Sequence, residues 1–145
     1  MRLVVVDTNL LVAGLITADV HSPTAQILNG MLDGTLLALL SPALLAEYQA
    51  VLMRPKLAAL HRLQEGEVDR LLTEVTLNAL WREPFERPGR APDPGDDHLW
   101  ALLDHEPNAV LITGDQRLLN DPHDHAIVML PAVFLETARR GSAPP

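Results

Sequence analysis

Two acidic residues, Asp7 and Asp115, follow short apolar segments that are far apart in the sequence. Asp7 comes directly after Leu-Val-Val-Val, and Asp115 comes after Val-Leu-Ile-Thr-Gly. In open parallel α/β sheets, ligands bind outside the carboxyl ends of the strands. Carboxylates brought together at such an edge repel and raise each other's pKa unless a cation neutralises them. The pair therefore predicts a divalent-metal site and, with it, metal-assisted phosphodiester chemistry.

Three further acids could join this site. Glu47 lies two turns into a predicted helix that begins at Pro42, and Asp96 and Asp97 open a later helix. Metal-assisted hydrolysis needs hard oxygen ligands that leave positions open for water and substrate. Three or four carboxylates that converge from separate elements would supply those ligands.

Each acid also has a purely structural explanation. Asp115 could cap a helix or occupy a turn after its strand. Asp96 and Asp97 could be helix-capping residues, and Glu47 could lie on a solvated helix face. Asp7 is harder to explain in this way, because Thr-Asn follows it and not a glycine turn. The argument therefore depends on the joint pattern and not on any one acid.

Alternating strands and helices must position these acids. The predicted strands are Leu3–Val6, Leu36–Leu40, Val110–Thr113 and Ile127–Leu130. The predicted helices are Thr24–Leu32, Pro42–Met53, Glu65–Leu80, Asp96–Asp104 and Pro131–Arg139. Ser-Pro pairs at 22–23 and 41–42 are typical helix starts, with serine as the cap and proline in the first turn. The alternation favours βαβ units and a parallel sheet.

One composition break interrupts this order. The segment 84–95 holds four prolines and two glycines in twelve residues. We interpret it as one long loop and not as a domain linker, because the sequence after it is too short to fold alone. The sequence therefore predicts a single domain over residues 1–140 and a frayed tail over residues 141–145.

Composition limits the class of protein. The chain has 145 residues, of which 48% are hydrophobic, enough for one substantial core. It has no cysteine, which excludes disulfides, thiolate metal sites and a cysteine nucleophile. No stretch is apolar for long enough to span a membrane, and no leader-like segment precedes the first strand. We therefore expect a cytoplasmic protein.

The net charge of −8 counts against tight nucleic-acid binding by the chain alone. A nuclease escapes this expectation when a bound metal supplies positive charge where the phosphate lies. The same charge is compatible with a basic protein partner.

Four segments, taken in order, resemble the PIN-domain nucleases. They are Val5-Val-Asp-Thr-Asn-Leu-Leu-Val12, Ser41-Pro-Ala-Leu-Leu-Ala-Glu-Tyr48, Asp93-Pro-Gly-Asp-Asp-His98 and Leu111-Ile-Thr-Gly-Asp115. The similarity spans nearly the whole chain and is closest to the toxins of toxin–antitoxin systems related to VapC. No single segment is decisive, but the ordered set is fairly specific.

The resemblance implies a fold and a site. The fold is a three-layer α/β/α sandwich, PIN-like and Rossmann-like, with a mainly parallel central sheet. The site is a ribonuclease centre that uses Mg²⁺ or Mn²⁺ and leaves 5′-phosphate and 3′-hydroxyl ends. By motif position, the catalytic and metal-binding residues are Asp7, Glu47, Asp97 and Asp115, supported by Asn9, Asp96 and Thr113. Asp96 stays an alternative to Asp97, because adjacent helical residues point about 100° apart.

The resemblance also implies partners. An RNA substrate, a cognate antitoxin that places a basic residue in the acidic pocket, and a homodimer are all expected of such a toxin. No membrane partner is expected.

Two other functions stay open. A PIN-like scaffold could serve as a non-catalytic interaction module that keeps its acids. A haloacid-dehalogenase-type phosphohydrolase also places an aspartate after a strand, but its second carboxylate is replaced here by Asn9. The histidines offer no matched ligand pair: His98 and His105 are interpreted as surface or partner contacts, and the segment 121–125 as a solvated turn.

Overall fold

A five-stranded parallel sheet forms the centre of the computed structural model, which describes residues 3–141. The strands are β1 (Leu3–Val6), β2 (Leu37–Leu40), β3 (Leu80–Trp81), β4 (Val110–Ile112) and β5 (Ile127–Met129). Their order across the sheet is β3-β2-β1-β4-β5, and every neighbouring pair is parallel. β1 is therefore the central strand, with β2 on one side and β4 on the other.

Helices cover both faces of this sheet. They are α1 (Thr8–Ile16), α2 (Pro23–Asp33), α3 (Pro42–Leu52), α4 (Pro55–His61), α5 (Glu65–Leu77), α6 (Asp97–His105), α7 (Gln116–Asn120) and α8 (Pro131–Gly141). The chain moves from β1 outwards to β3 and then crosses to β4 and β5. Because such crossovers are right-handed, α1–α5 lie on one face and α6 and α7 on the other. The predicted three-layer α/β/α sandwich is confirmed.

Local sequence explains the best-defined elements. The three valines of β1 are fully buried, as expected for a central parallel strand with both faces covered. Ser22 and Ser41 cap α2 and α3, each accepting a hydrogen bond of 3.2 Å from the third residue of its helix. Proline follows each serine, and Gly34 ends α2 in the left-handed region at φ 80°. No helix within residues 3–141 has the length and apolar character needed to cross a bilayer.

The structure also contains elements that periodicity does not predict. These are the helices α1, α4 and α7 and the short strand β3. α1 is apolar on nearly every side, including positions that are only partly buried, so its sequence lacks a polar stripe. The predicted helix over 65–80 is too long: α5 ends at Leu77, and Leu80 and Trp81 instead pair with β2 at the sheet edge.

The loop and the C-terminus complete the comparison. The segment from Pro84 to Asp93 lacks regular structure, and a 3-10 turn over Pro94–Asp96 leads into α6. α8 continues to Gly141, so the first residue of the predicted tail belongs to a helix. Residues 142–145 lie outside the described residues, and the division into one domain and a tail stays a prediction.

Candidate active site

Asp7 lies at the carboxyl end of the central strand. Its backbone N–H donates to the carbonyl of Ile112 at 3.1 Å, so the β1–β4 register fixes its position. The side chain is only 5% exposed, and Thr113 Oγ1 donates to its Oδ2 at 2.7 Å. Burial raises the pKa of Asp7, the Thr113 bond opposes this, and the charges of Glu47 and Asp115 raise it further. Asp7 is therefore a carboxylate held in place by hydrogen bonds, and a bound cation would stabilise its negative charge.

Glu47 approaches the same edge from α3. The next residue, Tyr48, is fully buried and donates from its hydroxyl to the carbonyl of Val6 at 2.5 Å, which ties α3 to the end of β1. Thr8 Oγ1 donates to Glu47 Oε2 at 2.5 Å, and His98 Nε2 lies 3.2 Å from the same oxygen. The imidazole of His98 holds the pKa of Glu47 below its usual value, burial opposes this, and Thr8 lowers it again. Glu47 is therefore an ionised carboxylate.

The adjacent acids Asp96 and Asp97 have separate roles. Asp96 lines the cleft with Asp7 and Glu47. Burial, followed by the charges of its acidic neighbours, raises the pKa of Asp96 to about 6. Asp97 points elsewhere: its Oδ1 accepts from the N–H of Ala91 at 2.8 Å and its Oδ2 from the N–H of Gly89 at 2.9 Å.

These bonds decide where the third predicted acid lies. The bond from Ala91 lowers the pKa of Asp97 against burial, with further bonds from the same loop. Asp97 is thus an ionised carboxylate that holds the loop before α6, and Asp96 is the member of the pair in the cleft. The structure does not bring Asp97 together with the other three predicted acids.

Asp115 both caps a helix and lines the cleft. Its Oδ1 accepts from the backbone N–H of Arg117 at 2.9 Å, which begins α7. Arg117 Nη2 contacts its Oδ2 at 3.1 Å, and Arg117 Nη1 reaches Asp93 Oδ2 at 3.1 Å. The guanidinium group lowers the pKa of Asp115, while its slight burial acts in the opposite direction. Arg117 is therefore a cation that bridges two acids at the rim of the site.

These side chains surround one polar cavity of about 200 Å³ at the carboxyl edge of the sheet. The residues that line it are Asp7, Thr8, Asn9, Glu47, Val51, Arg54, Asp93, Gly95, Asp96, Asp115 and Arg117. Asn9, one of the predicted supporting residues, is exposed at its wall. Thr113, another, is buried behind it and accepts from the N–H of Asp115 at 3.0 Å while it donates to Asp7. One threonine thus connects two acids of the cleft.

His98 corrects one interpretation from the sequence. It is not a surface residue, because its side chain is only 9% exposed. Its ring lies beside the cleft, and donor atoms of Glu47, Asp96 and His98 all lie within 4.8 Å of one another. The sequence signal for burial of His98 is its position directly after the acidic pair, at the start of a helix that carries buried leucines.

The predicted solvated turn at 121–125 is also partly wrong. His123 is buried, and its Nε2 lies 2.6 Å from Asp104 Oδ1. Its Nδ1 accepts from the backbone N–H groups of His125 and Ala126 at 3.1 Å. This histidine holds the turn before β5 and is remote from the acidic cleft, so it has a structural role.

Sequence reasoning missed several other residues around the cleft. Thr8 positions Glu47, Asp93 pairs with Arg117, and Arg54 lines the wall. Thr8 and Asp93 lie inside the segments that carried the family resemblance, so position alone could have suggested them. The two arginines come from helix ends and have no local signal, because only folding brings them to the acids.

The donor set fits a divalent cation. Several carboxylates converge in one cavity, and one of them, Asp96, has a pKa raised by burial and then by the charges of its acidic neighbours. Beside them, the buried ring nitrogens of His98 have no hydrogen-bond partner among the described residues. Such groups occur where a ligand completes the site. Fold and cleft together are those of an α/β protein with its acids at the carboxyl edge of a parallel sheet, an arrangement compatible with the metal-dependent hydrolase class.

Comparison with protein families agrees with this class. The model of the PIN domain family matches residues 3–117, from the first strand to the first turn of α7. The chain therefore belongs to the PIN domain family, whose members are metal-dependent nucleases that hydrolyse phosphodiester bonds in nucleic acid, typically RNA. No individually curated protein matches the chain, so the family assignment depends on the PIN domain model.

Proposed function

We propose that this protein is an endoribonuclease that depends on Mg²⁺ or Mn²⁺ and acts through Asp7, Glu47, Asp96 and Asp115. The observation that carries the proposal is the convergence of these four acids, from four separate elements, on one cavity of about 200 Å³. In this proposal Asp96 takes the place that the sequence assigned to Asp97, which instead holds the adjacent loop. The separation of roles follows from the different contacts of the two side chains, since Asp97 accepts from two loop amides and Asp96 lines the cavity.

A bound divalent ion supplies the Lewis acidity and the positive charge that phosphodiester hydrolysis needs. The chain's own residues prepare the place for it. Thr113 holds Asp7 Oδ2, and Thr8 holds Glu47 Oε2, so two carboxylates are oriented before any ligand arrives. Such preorganisation avoids reorganisation during the reaction. Asn9 is exposed at the wall of the cavity, and in this proposal it contacts the substrate.

Two arginines supply contacts for the substrate backbone. Arg54 and Arg117 line the same cavity as the acids. The side chain of Arg117 is 63% exposed, so it can exchange its carboxylate partners for a phosphate group. A guanidinium group can form two parallel hydrogen bonds to one phosphate, and its positive charge at the rim offsets the charges of the carboxylates around it. In this proposal Arg54 and Arg117 hold the phosphates next to the bond that is cleaved.

The biological setting is part of the same proposal. A toxin of the VapC type, acting in the cytoplasm as a homodimer, fits the resemblance of the ordered motifs. Its antitoxin would place a basic side chain in the cleft, where the acids attract a cation. The acidic chain as a whole favours a basic partner, as its net charge of −8 indicates.

The test is cleavage of RNA by the purified protein. Total RNA is incubated with Mg²⁺, with Mn²⁺ or with EDTA, and the ends of the fragments are mapped. We expect metal-dependent cuts with 5′-phosphate ends, and their loss in Asp7→Asn. The matched control is Asp69→Asn, an exposed aspartate of α5 outside the cleft, which should cleave like the wild type. Metal-independent cutting, or full activity in a folded Asp7→Asn protein, would overturn the proposal.

Thermal melting separates an enzyme from a non-catalytic module. Mn²⁺ should raise the melting temperature of the wild type according to RT ln(1 + [L]/Kd), and it should raise that of Asp7→Asn much less. An inert module would show no shift that depends on these carboxylates. Absence of both the shift and the cleavage would favour the interaction module that the sequence left open.

A further inference from the structure

His98 is a buried histidine that lies beside Glu47 at the acidic cleft. It is the second residue of α6, and 9% of its side chain is exposed. Neither Nδ1 nor Nε2 has a hydrogen-bond partner among residues 3–141. Nε2 lies 3.2 Å from Glu47 Oε2, but the direction of this contact is not that of a hydrogen bond. Buried polar groups nearly always have hydrogen bonds, so a buried ring without one, next to two carboxylates of the cleft, indicates a missing ligand.

The neighbours of His98 are suited to share that ligand. Donor atoms of Glu47, Asp96 and His98 lie within 4.8 Å of one another. Two protein ligands of one ion, each about 2.0–2.2 Å from it, lie about 3–4.4 Å apart. Small side-chain rotations would therefore bring the three groups onto one cation. Glu47 comes from α3, Asp96 from the 3-10 turn that leads into α6, and His98 from the first turn of α6, so folding alone holds all three near one another.

We propose that His98 Nε2 is a metal ligand together with Glu47 and Asp96, and that this nitrogen makes the cleft select Mn²⁺ and similar first-row transition ions over Mg²⁺. The inference rests on the proposed metal-dependent function and adds to it a ligand and an order of ion preference. Imidazole suits transition ions, whereas Mg²⁺ prefers oxygen ligands and keeps its waters. A site built from carboxylates alone would lack this discrimination.

A second role for His98 competes with this one. The ring also borders a neighbouring cavity of about 200 Å³, lined by residues that include Ser41, Glu83 and Glu86. His98 could therefore stay off the metal and only orient Glu47 across the wall between the two cavities. The ligand role and the orienting role differ in one observable. Only the ligand role bonds a nitrogen atom directly to the ion.

The test uses tag-free full-length protein loaded with Mn²⁺, without RNA. Three-pulse electron spin echo envelope modulation should show ¹⁴N coupling to the bound Mn²⁺, and His98→Gln should abolish it. Titration calorimetry should show Mn²⁺ binding weakened about 10- to 100-fold in His98→Gln, against less than about threefold for Mg²⁺. The matched control is His105→Gln, an exposed histidine of the same helix, which should keep both the coupling and the affinity.

Each outcome decides between the proposals. Bound Mn²⁺ without ¹⁴N coupling overturns the ligand role, as does an equal loss of affinity for both ions in His98→Gln. If His98→Gln fails to fold, the wild-type spectrum still decides whether nitrogen is coordinated. RNA cleavage without ¹⁴N coupling would contradict the ligand role of His98 and would still support the proposed function. Nitrogen-coordinated Mn²⁺ without cleavage of any RNA would support the ligand role of His98 and contradict the proposed function. If Mn²⁺ does not bind at all, both proposals are contradicted.

Discussion

Asp7 extends from the middle of the sheet at one side of the cleft, whereas Asp96 comes from a 3-10 turn after a long loop at the other. Backbone pairing holds the first side: β1 pairs with β2 and β4, and the N–H of Asp7 continues the β4 ladder at Ile112. On the second side, side-chain bonds replace strand pairing, with Asp97 accepting the N–H groups of Gly89 and Ala91.

The difference concerns how an acid is held in place. At the strand end, the same backbone bonds that build the fold also position the functional group. At the loop, a second carboxylate is needed to hold the backbone, and it lies directly next to the one that faces the cleft. A charge that looks redundant in the sequence therefore has a structural purpose.

The largest expected effect is the difference between substitutions of the two adjacent acids, Asp96 and Asp97. Asp96→Asn should weaken Mn²⁺ binding and RNA cleavage by at least about 100-fold, because a direct ligand is lost. Asp97→Asn should cost less than about tenfold, because the amide oxygen can keep one of two loop bonds. Hydrogen exchange should accelerate at the amides of Gly89 and Ala91 in Asp97→Asn only. An inactive Asp97→Asn protein with normal protection of those amides would show that the roles are reversed.

The strand side of the cleft is tested at Thr113. Thr113→Val keeps the shape of the side chain but removes the donor to Asp7 and the acceptor for the N–H of Asp115. We expect metal affinity to fall about 10- to 100-fold, the usual cost of losing a group that orients a ligand. Titration calorimetry measures the metal affinity. Thr137→Val, on the exposed face of α8, is the control and should bind like the wild type. Unchanged affinity in Thr113→Val would mean that the sheet alone orients Asp7.

A smaller effect is expected at the rim. Arg117→Gln removes the cation that pairs with Asp115 and Asp93, so Mn²⁺ should bind up to about fivefold more tightly without RNA. RNA should bind more weakly, and the slope of log affinity against log salt should decrease by about 1. Filter binding at several salt concentrations, with catalysis blocked by Asp7→Asn, measures the RNA affinity and its salt dependence. A steeper salt dependence in the variant would exclude Arg117 from the phosphate contacts.

The smallest effect is on the stability of the metal-free protein. Folding raises the pKa of Asp96 from 3.8 to about 6, so the folded state disfavours its charge above that pH. Asp96→Asn should therefore stabilise the EDTA-treated protein at about pH 7.5 by about 1 kcal/mol, after allowance for solvent screening. The gain should shrink as the pH falls from about 6 towards 4, where the carboxyl becomes neutral in the folded state. A gain that grows on acidification would have the wrong sign for this mechanism.

Much of this fold could be predicted from sequence, and the exceptions have physical causes. Ser-Pro pairs start α2 and α3 as expected, because capping is decided by a few adjacent residues. The helix α1 was missed because a helix that is apolar on nearly every side has no polar stripe to show its period. The strand Leu80–Trp81 was missed because two residues at a sheet edge depend on pairing with β2, which no local pattern records.

The sequence alone determined the strand-end acid, four of the five strands and the capped helices α2 and α3, because apolar strands and helix caps follow from neighbouring residues. It also placed Asp115 after a strand, and the structure shows that this strand, β4, pairs with β1. Only the tertiary structure decided between Asp96 and Asp97, or brought His98 and Arg117 to the acids. Those choices depend on which loop amides, rings and helix ends meet across the fold, and contacts between distant segments leave no trace in local sequence.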